Sequence, residues 1–247
     1  MASEASIAFG NFLFKNSFPL YKIMYQFFKE RQDAFEIDLI KKVVKPNATV
    51  IDIGANIGFY SEILSKIVGA NGSVHCFEPD ITNFNYLQKR CASLANVTMN
   101  KKAIADTSQN IKIYTSKKLN VDHRTYKPDE FDTEIDIEAI SLDEYLSGKS
   151  VDFIKMDIQG FEMAAVKGML NTLRNNNLKM LSEFWPYGMK KAGSSVMEYF
   201  TLLKQLQFTI YLIKDKTLIE LTVDDVNTFS DLPEHIYMNI FVSKEKL

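Results

Sequence analysis

The sequence predicts an α/β fold with a doubly wound, mostly parallel, seven-stranded sheet. Residues 49–58 (TVIDIGANIG) join a β-branched run to two glycines and then to a helical pattern. Short apolar runs then alternate with segments of helical period along most of the chain. Repeated strand–helix units favour parallel strands with right-handed crossovers, which place a ligand outside the carboxyl ends of the strands.

The elements follow in order along the chain. After the first strand, an apolar stripe at helical spacing predicts a helix that stops at Gly69, and a second stripe carries Phe84 and Leu87. Further strands are predicted at residues 73–77, 97–104, 153–156, 179–184, 208–213 and 236–242. Later helices are predicted over 162–173 and 196–206.

A single domain is expected for residues 1–247, because no repeat, low-complexity tract or linker divides them. Residues 1–47 are interpreted as an N-terminal helical extension over the sheet or the site, and 48–247 as the core. Apolar residues at period two within 111–140 surround a polar loop with His123, Arg124 and Pro128. This pattern predicts an inserted hairpin, or flap.

Composition limits the partners. A net charge of −2 and a pI near 6.0 give no general attraction to phosphate backbones, so no nucleic-acid partner is expected. Cys76 and Cys91 lie in apolar runs and are expected to be buried thiols, which favours a cytoplasmic location. The interrupted apolar runs around Glu4 and Lys15 predict neither a signal peptide nor a membrane span.

The glycine turn carries an acid, Asp52, just before Gly54. A pyrophosphate-binding turn has the spacing G-x-G-x-x-G, whereas this chain has Gly54-x-x-x-Gly58. A carboxylate there would repel a pyrophosphate but suits an ammonium near a sulfonium, as in S-adenosylmethionine. The alternative is an ordinary strand–turn–helix whose glycines serve packing alone.

The second predicted strand ends in Glu78, followed by Pro79. An acid at this place can accept hydrogen bonds from both hydroxyls of a ribose, although Glu78 could equally mark the start of a helix. Ala103, Ile104 and Asp106 lie at the end of the third strand, where side chains could flank an adenine ring and contact its amino group. A plain strand end with a turn explains these three residues as well.

Three motifs together resemble the FkbM-type family of S-adenosylmethionine-dependent methyltransferases. They are VIDIGANIGFYS at 50–61, FEP at 77–79, and FIKMDIQGFE at 153–162 with Lys167-Gly168 beyond. The third, with its Lys-x-Asp-x-x-Gly-x-Glu pattern, points to the family, and the resemblance covers roughly residues 45–215. One departure is Gln159, where the family often has Glu, which weakens any role assigned to a charge at this position.

This resemblance implies a Rossmann-like, seven-stranded methyltransferase fold and O-methylation of a small molecule, often at a sugar or polyketide hydroxyl. It also implies that the first two motifs hold the cofactor. The expected cofactor-binding residues are Asp52, Gly54, Ala55, Asn56, Gly58, Phe59, Glu78, Pro79, Ala103, Ile104 and Asp106.

Methyl transfer to a hydroxyl needs a base or a metal ion that lowers the hydroxyl pKa. Asp157 ends the fourth main strand and Glu183 lies near the end of the fifth. One could act as base while the other orients it, or the two could bind Mg²⁺; no metal site is otherwise expected. In the alternative interpretation Asp157 caps the next helix and Glu183 pairs with a lysine.

His123, beside Arg124 in the flap, is the other candidate base, although such residues in a polar loop are often only solvated. Trp185 in WPYG is interpreted as an aromatic wall for the acceptor or as core packing.

Two functions stay open. The first is an O-methyltransferase acting on a small molecule or glycan, and the second is a non-catalytic S-adenosylmethionine-binding module of the same fold. The sequence identifies neither the acceptor nor the oligomeric state.

Overall fold

The structure is a computed structural model and describes residues 10, 12–14, 16–115, 123–128 and 131–246. Its strands are β1 (Thr49–Ile53), β2 (Ser73–Phe77), β3 (Val97–Asn100), β4 (Ala103–Ile104), β5 (Gln109–Tyr114), β6 (Glu134–Ile140), β7 (Phe153–Met156), β8 (Lys179–Phe184), β9 (Thr209–Lys214), β10 (Thr217–Glu220) and β11 (Met238–Ser243). Its helices are α1 (Phe18–Gln32), α2 (Ala34–Val43), α3 (Phe59–Val68), α4 (Ile81–Cys91), α5 (Leu142–Leu146), α6 (Glu162–Lys167), α7 (Leu170–Asn175), α8 (Pro186–Lys191), α9 (Val196–Gln205) and α10 (Val223–Phe229).

The main sheet has the order β10-β9-β11-β8-β7-β1-β2-β3. Strands β3, β2, β1, β7 and β8 pair in parallel, whereas β11 pairs antiparallel with both β8 and β9. The predicted fold class is therefore confirmed. The sheet gains one strand over the expected seven, because the short hairpin strand β10 pairs with β9 at the edge.

A second sheet of three strands has the order β4-β6-β5. The antiparallel pairing of β5 with β6 confirms the predicted hairpin within 111–140. The single strand predicted at 97–104 is wrong, because Ala103–Ile104 leaves the main sheet and pairs with β6. The chain therefore passes from one sheet to the other just before the predicted adenine-flanking residues.

The helix predicted over 162–173 is also divided, into α6 and α7. A Cβ at Gly168 would lie 1.8 Å from the backbone oxygen of Ala105, so the chain approaches its neighbour too closely there for another residue. Glycine in a helix interior is unfavourable as well. The interruption thus follows from a backbone contact that the helical periodicity does not show.

The core fills both faces of the main sheet. Val50, Ile51 and Ile53 in β1 are at most 1% exposed, as the β-branched run predicts for a strand covered on both sides. Cys76 and Cys91 are buried free thiols, as expected. Among the described residues no helix is long and apolar enough to cross a membrane.

Candidate functional site

A cavity of about 460 Å³ opens at the carboxyl ends of β2, β1, β7 and β8, within the range of roughly 300–1,000 Å³ typical of small-molecule sites. The strand order reverses between β1 and β7, where open α/β sheets bind ligands. We name two parts of its lining. The turn wall comprises Gly54, Asn56, Glu78, Pro79, Ala103 and Ile104, and the acid wall comprises Tyr60, Lys155, Asp157, Gln159 and Glu183.

Gly54 joins the two walls. Its φ is +78°, and a Cβ at this position would lie 1.9 Å from the backbone oxygen of Asp157. Its N–H and that of Ala55 both donate to the carbonyl of Phe77, each at 2.9 Å. A residue with a side chain is therefore excluded on two grounds, a left-handed backbone and a collision with the acid wall.

Gly58 serves packing instead. A Cβ there would lie 2.8 Å from the Leu87 side chain, and its φ of +81° starts α3. The body of the turn consists of Ala55, Gly58 and Phe59. Among the described residues that line the cavity, none of these three is present. The alternative in which the turn glycines serve packing alone therefore holds for Gly58. It does not hold for Gly54, which lines the cavity.

Asp52 also lies behind the turn. Its carboxylate is 2% exposed and accepts a hydrogen bond of 2.6 Å from Ser61 Oγ. Burial raises the pKa of Asp52 to about 6, against the lowering effects of the Ser61 bond and of the Lys155 charge. The described contacts of Asp52 therefore hold the turn onto α3.

Glu78 projects from the end of β2 into the cavity wall. The backbone N–H of Asn56 donates to its Oε2 at 2.8 Å, and that of Asp80 donates to its Oε1 at 2.9 Å. Burial raises its pKa to about 8, although both backbone bonds act in the opposite direction. Each carboxylate oxygen keeps acceptor capacity beyond these bonds, so Glu78 can receive further hydroxyl donors.

Ala103 and Ile104 line the cavity next to Ile113 and Ile137 of the second sheet. They form an apolar slot of the kind that a flat ring occupies. Asp106 is exposed, and its Oδ1 accepts a hydrogen bond of 3.1 Å from Gln109 Nε2. The structure therefore brings two of the three predicted adenine-flanking residues into the wall and leaves the third outside it.

Asp157 and Glu183 meet in the acid wall. Gln159 Nε2 donates to Asp157 Oδ1 at 3.3 Å and to Glu183 Oε2 at 2.8 Å. Burial raises the pKa of Glu183 well above its usual range, and the negative charge of Asp157 raises it further. Burial opposes ionisation of Asp157 too, but Lys155, Lys29 and the bond from Glu183 outweigh it and lower the Asp157 pKa.

The two pKa values thus shift in opposite directions. Mutual repulsion in a buried site favours one ionised and one protonated acid, with Asp157 the more acidic of the two. Lys155 Nζ lies 3.4 Å from Asp157 Oδ2 and 5.0 Å from the centre of the Tyr60 ring, so a cation faces the charged member of the pair. Sequence reasoning predicted the two acids but assigned Lys155 no chemistry.

The N-terminal extension supplies a further part of the lining. Tyr25, Phe28, Lys29 and Gln32 of α1 lie along the cavity, and buried Asp33 follows them. The sequence predicts residues 1–47 as a helical extension over the sheet or the site, but it identifies none of these side chains as site residues. A usable signal existed, because Tyr25, Lys29 and Asp33 recur every four residues and so share one helix face.

His123 lies near the start of α4. Its Nε2 is 3.9 Å from Asp80 Oδ2 and 3.4 Å from Asn83 Nδ2, two residues that follow Glu78 closely. These described contacts place it beside the turn wall. Its predicted role as the base is not tested by them.

Arg124, the neighbour of His123 in sequence, contacts a different part of the structure. Its Nη1 donates to Glu234 Oε1 at 2.9 Å, and its guanidinium stacks 5.0 Å from the centre of the Trp185 ring. Trp185 is 3% exposed, lines the cavity, and donates from Nε1 to the Glu234 carbonyl at 2.8 Å. It is thus both packed and part of the wall.

A Mg²⁺ ion does not fit this acid pair. Among the described residues no group of three or more His, Cys, Asp or Glu side chains is arranged to hold a metal ion. Lys155 Nζ lies 3.4 Å from Asp157 Oδ2 and already supplies that carboxylate with a cation, so the pair leaves few of the anionic oxygens that Mg²⁺ prefers.

A family model described as the methyltransferase FkbM domain matches residues 52–210, more than half of the chain. No curated protein matches the sequence significantly. The match begins at Asp52 and ends within β9, so it contains both acids of the acid wall and leaves out α1 and the segment before β11.

Solved structures share the fold at low sequence identity. An rRNA methylase from Streptococcus thermophilus is 13% identical with a TM-score of 0.52, covering 85% of this chain and 95% of that one. A Streptococcus mutans protein in complex with SAH is 11% identical with a TM-score of 0.52, covering 85% and 96%. Methyltransferase FkbM from Methylobacillus flagellatus is 16% identical with a TM-score of 0.50 over 81% of this chain, which spans 44% of that protein.

Proposed function

Because the chain belongs to the FkbM methyltransferase family, we propose that it methylates a hydroxyl of a small molecule or a glycan. Dependence on S-adenosylmethionine follows from the family. The proposal adds the acceptor and the residues that act on it. It rests above all on the paired carboxyl groups of Asp157 and Glu183, both bonded by Gln159, in the wall that adjoins the glycine turn at Gly54.

The turn wall suits the donor. In this proposal Glu78 accepts hydrogen bonds from the ribose hydroxyls, and Ala103 and Ile104 flank the adenine ring. Gly54 and Asn56 offer the amino-acid end a close approach to the backbone. Asp52 would act on its ammonium from behind the turn that it holds through Ser61.

When bound, S-adenosylmethionine supplies an activated methyl group, so the protein has to position the acceptor oxygen and take its proton. Asp157 is the ionised member of the pair and accepts that proton. Glu183 stabilises the charge of Asp157 by its hydrogen bond, and Gln159 holds both carboxyl groups in place. A base favours a hydroxyl acceptor, because a neutral amine carries a free lone pair and reacts without prior deprotonation.

The remainder of the lining suits a small polar acceptor. Glu36, Tyr237 and Asn239 border the cavity and present several hydrogen-bonding groups and a 63% exposed ring, a combination that fits a hydroxylated molecule. The charge of −2 gives no general attraction to RNA. Likeness to the rRNA methylase is one of fold alone.

Calorimetry with S-adenosylmethionine and SAH is the first test, and we expect both to bind. A mass-spectrometric screen of sugars, polyketides and other alcohols then follows transfer, with a gain of one methyl group on an oxygen expected. Transfer to RNA and to none of the alcohols would contradict the proposed acceptor. Cofactor binding without turnover on any compound or RNA would favour the binding module.

A further inference from the structure

Helix α1 lies outside the family match and yet carries a charged residue into the cavity. Lys29 Nζ lies 2.6 Å from Asp33 Oδ2, and the Lys29 side chain is 21% exposed. Asp33 in turn accepts a hydrogen bond of 2.7 Å from the Tyr60 hydroxyl. The ammonium is thus fixed on one side by a buried carboxylate.

A chain of contacts continues from there to the acid pair. Lys155 Nζ lies over the Tyr60 ring, 5.0 Å from its centre, and 3.4 Å from Asp157 Oδ2. The extension is also tied across the cavity, because Asn239 Nδ2 donates to Glu36 Oε1 at 3.0 Å. The carboxyl end of α1 and the start of α2 are therefore tied to the lining of the cavity at Tyr60 and at Asn239.

The charged and titratable groups that act on Asp157 come from several elements. Lys155 and Gln159 lie on its own segment, Glu183 on β8, Glu162 on α6, Asp52 on β1, Tyr60 on α3, and Lys29 and Tyr25 on α1. Lys29 and Lys155 are the cations among these groups, and the remaining ionisable groups are acids. Removing one of two cations from such a group should weaken the ionised state of Asp157.

We propose that Lys29 is a positioning residue of the active site, whose ammonium supports the Asp157 carboxylate from the N-terminal helix. The base is then complete only when α1 is seated over the acid wall. This inference rests on the role of Asp157 proposed above. It gives α1, which lies outside the matched residues 52–210, a part in the ionisation of the base.

The test is a ¹³C NMR titration of the Asp157 carboxyl in the full chain with SAH added, its signal identified by its loss in D157N. Lys29→Gln removes the charge but keeps a donor for Asp33. We expect it to raise the Asp157 pKa by about one unit. At a fixed pH below this pKa, the ionised fraction of Asp157 would then fall about tenfold. Lys29→Arg keeps the charge and should titrate like the wild type.

Lys22→Gln is the matched control, because Lys22 lies on the same helix and pairs with Glu62 at 3.6 Å. It should leave the Asp157 titration unchanged. If K29Q fails to fold, the double variant K29Q/D33N removes the ion pair as a neutral unit and should show a smaller rise in the same direction, because the lost Asp33 charge offsets part of the lost Lys29 charge.

An unchanged Asp157 titration in the folded K29Q or K29Q/D33N variant would overturn the inference, and so would an equal rise in K29R. Since the readout needs no acceptor, a failed acceptor screen with a shifted titration refutes the proposed function and leaves the Lys29 assignment standing. Methyl transfer with an unshifted titration refutes the Lys29 assignment alone.

Discussion

The two walls of the cavity are built in different ways. In the turn wall, backbone N–H groups hold Glu78 from Asn56 and Asp80, which lie 22 and 2 residues away in sequence. The acid wall depends on side chains from distant segments, and a bond between residues 203 apart, Asn239 and Glu36, closes the cavity beside it. A local motif therefore specifies the turn wall, whereas the acid wall exists only in the folded chain.

In the proposed function this difference separates donor from acceptor. Four of the six turn-wall residues come from one strand–turn–helix–strand unit, so chains that share the unit share most of its geometry. The supports of the acid wall include Lys29 and Asp33, which lie outside the matched residues 52–210. Acceptor choice can therefore change without disturbing the donor site.

The largest expected effect tests whether the walls act separately. Asp157→Asn should lower kcat by about 10²–10⁴-fold, the usual contribution of a positioned base, while calorimetric affinity for S-adenosylmethionine stays unchanged. Asp38→Asn, at an exposed carboxylate paired with Lys41, is the control and should keep wild-type activity. A wild-type rate in D157N would remove Asp157 from the mechanism.

Gly54→Ala should break both walls at once, because the new Cβ would collide with the Asp157 carbonyl. Gly69→Ala is the control, since Gly69 also has a positive φ of +71° but its Cβ would meet nothing within 4 Å. The control should lose about 1–3 kcal/mol of unfolding free energy through backbone strain alone, and G54A considerably more together with cofactor binding. Equal losses in urea unfolding would show that the collision is relieved.

The turn wall should also respond to pH. Burial raises the pKa of Asp52 to about 6 and that of Glu78 to about 8, so the folded protein keeps protons that the unfolded chain has already released. Stability should therefore fall as pH rises from 5 to 8, with the proton of Glu183 acting in the same direction.

Glu78→Gln should flatten this decline by about 1 kcal/mol per pH unit, measured by urea unfolding across the range. Glu138→Gln, at a 59% exposed side chain paired with Lys102, serves as the control and should keep the wild-type slope. An unchanged slope in E78Q would mean that Glu78 is ionised in the folded protein.

The smallest effect concerns the flap. His123→Ala should raise the Kd for S-adenosylmethionine about threefold to tenfold, as for one lost hydrogen bond, and leave kcat unchanged. Exposed His235 offers the control His235→Ala. A collapse of kcat with unchanged affinity would instead make His123 the base and place the flap with the acid wall.

The sequence predicted the fold class, the glycine turn, Glu78, and both acids of the acid wall. These features depend on local patterns, namely period, turn residues and strand ends. It did not predict the division of 97–104 between two sheets, because an apolar run has the same appearance in either sheet. Nor could it place Asp106 outside the wall, since that depends on where β4 pairs.

The contributions of Lys29 and Asp33 were only partly accessible from the sequence, for another reason. Their helix spacing shows which residues share a face, but the packing of α1 over the carboxyl ends decides what that face meets. Likewise, Arg124 and Trp185 are 61 positions apart in the sequence and meet only in the folded chain. Such contacts are fixed by tertiary structure and by no motif.

Trp185 is the single tryptophan of the chain. Its indole is stacked by Arg124 and donates to the Glu234 carbonyl, so both contacts act on one fluorophore. The tryptophan emission of the protein consequently reports on a single site in the cavity wall. Any ligand that displaces Arg124 from the indole would change this emission in the unlabelled wild-type protein.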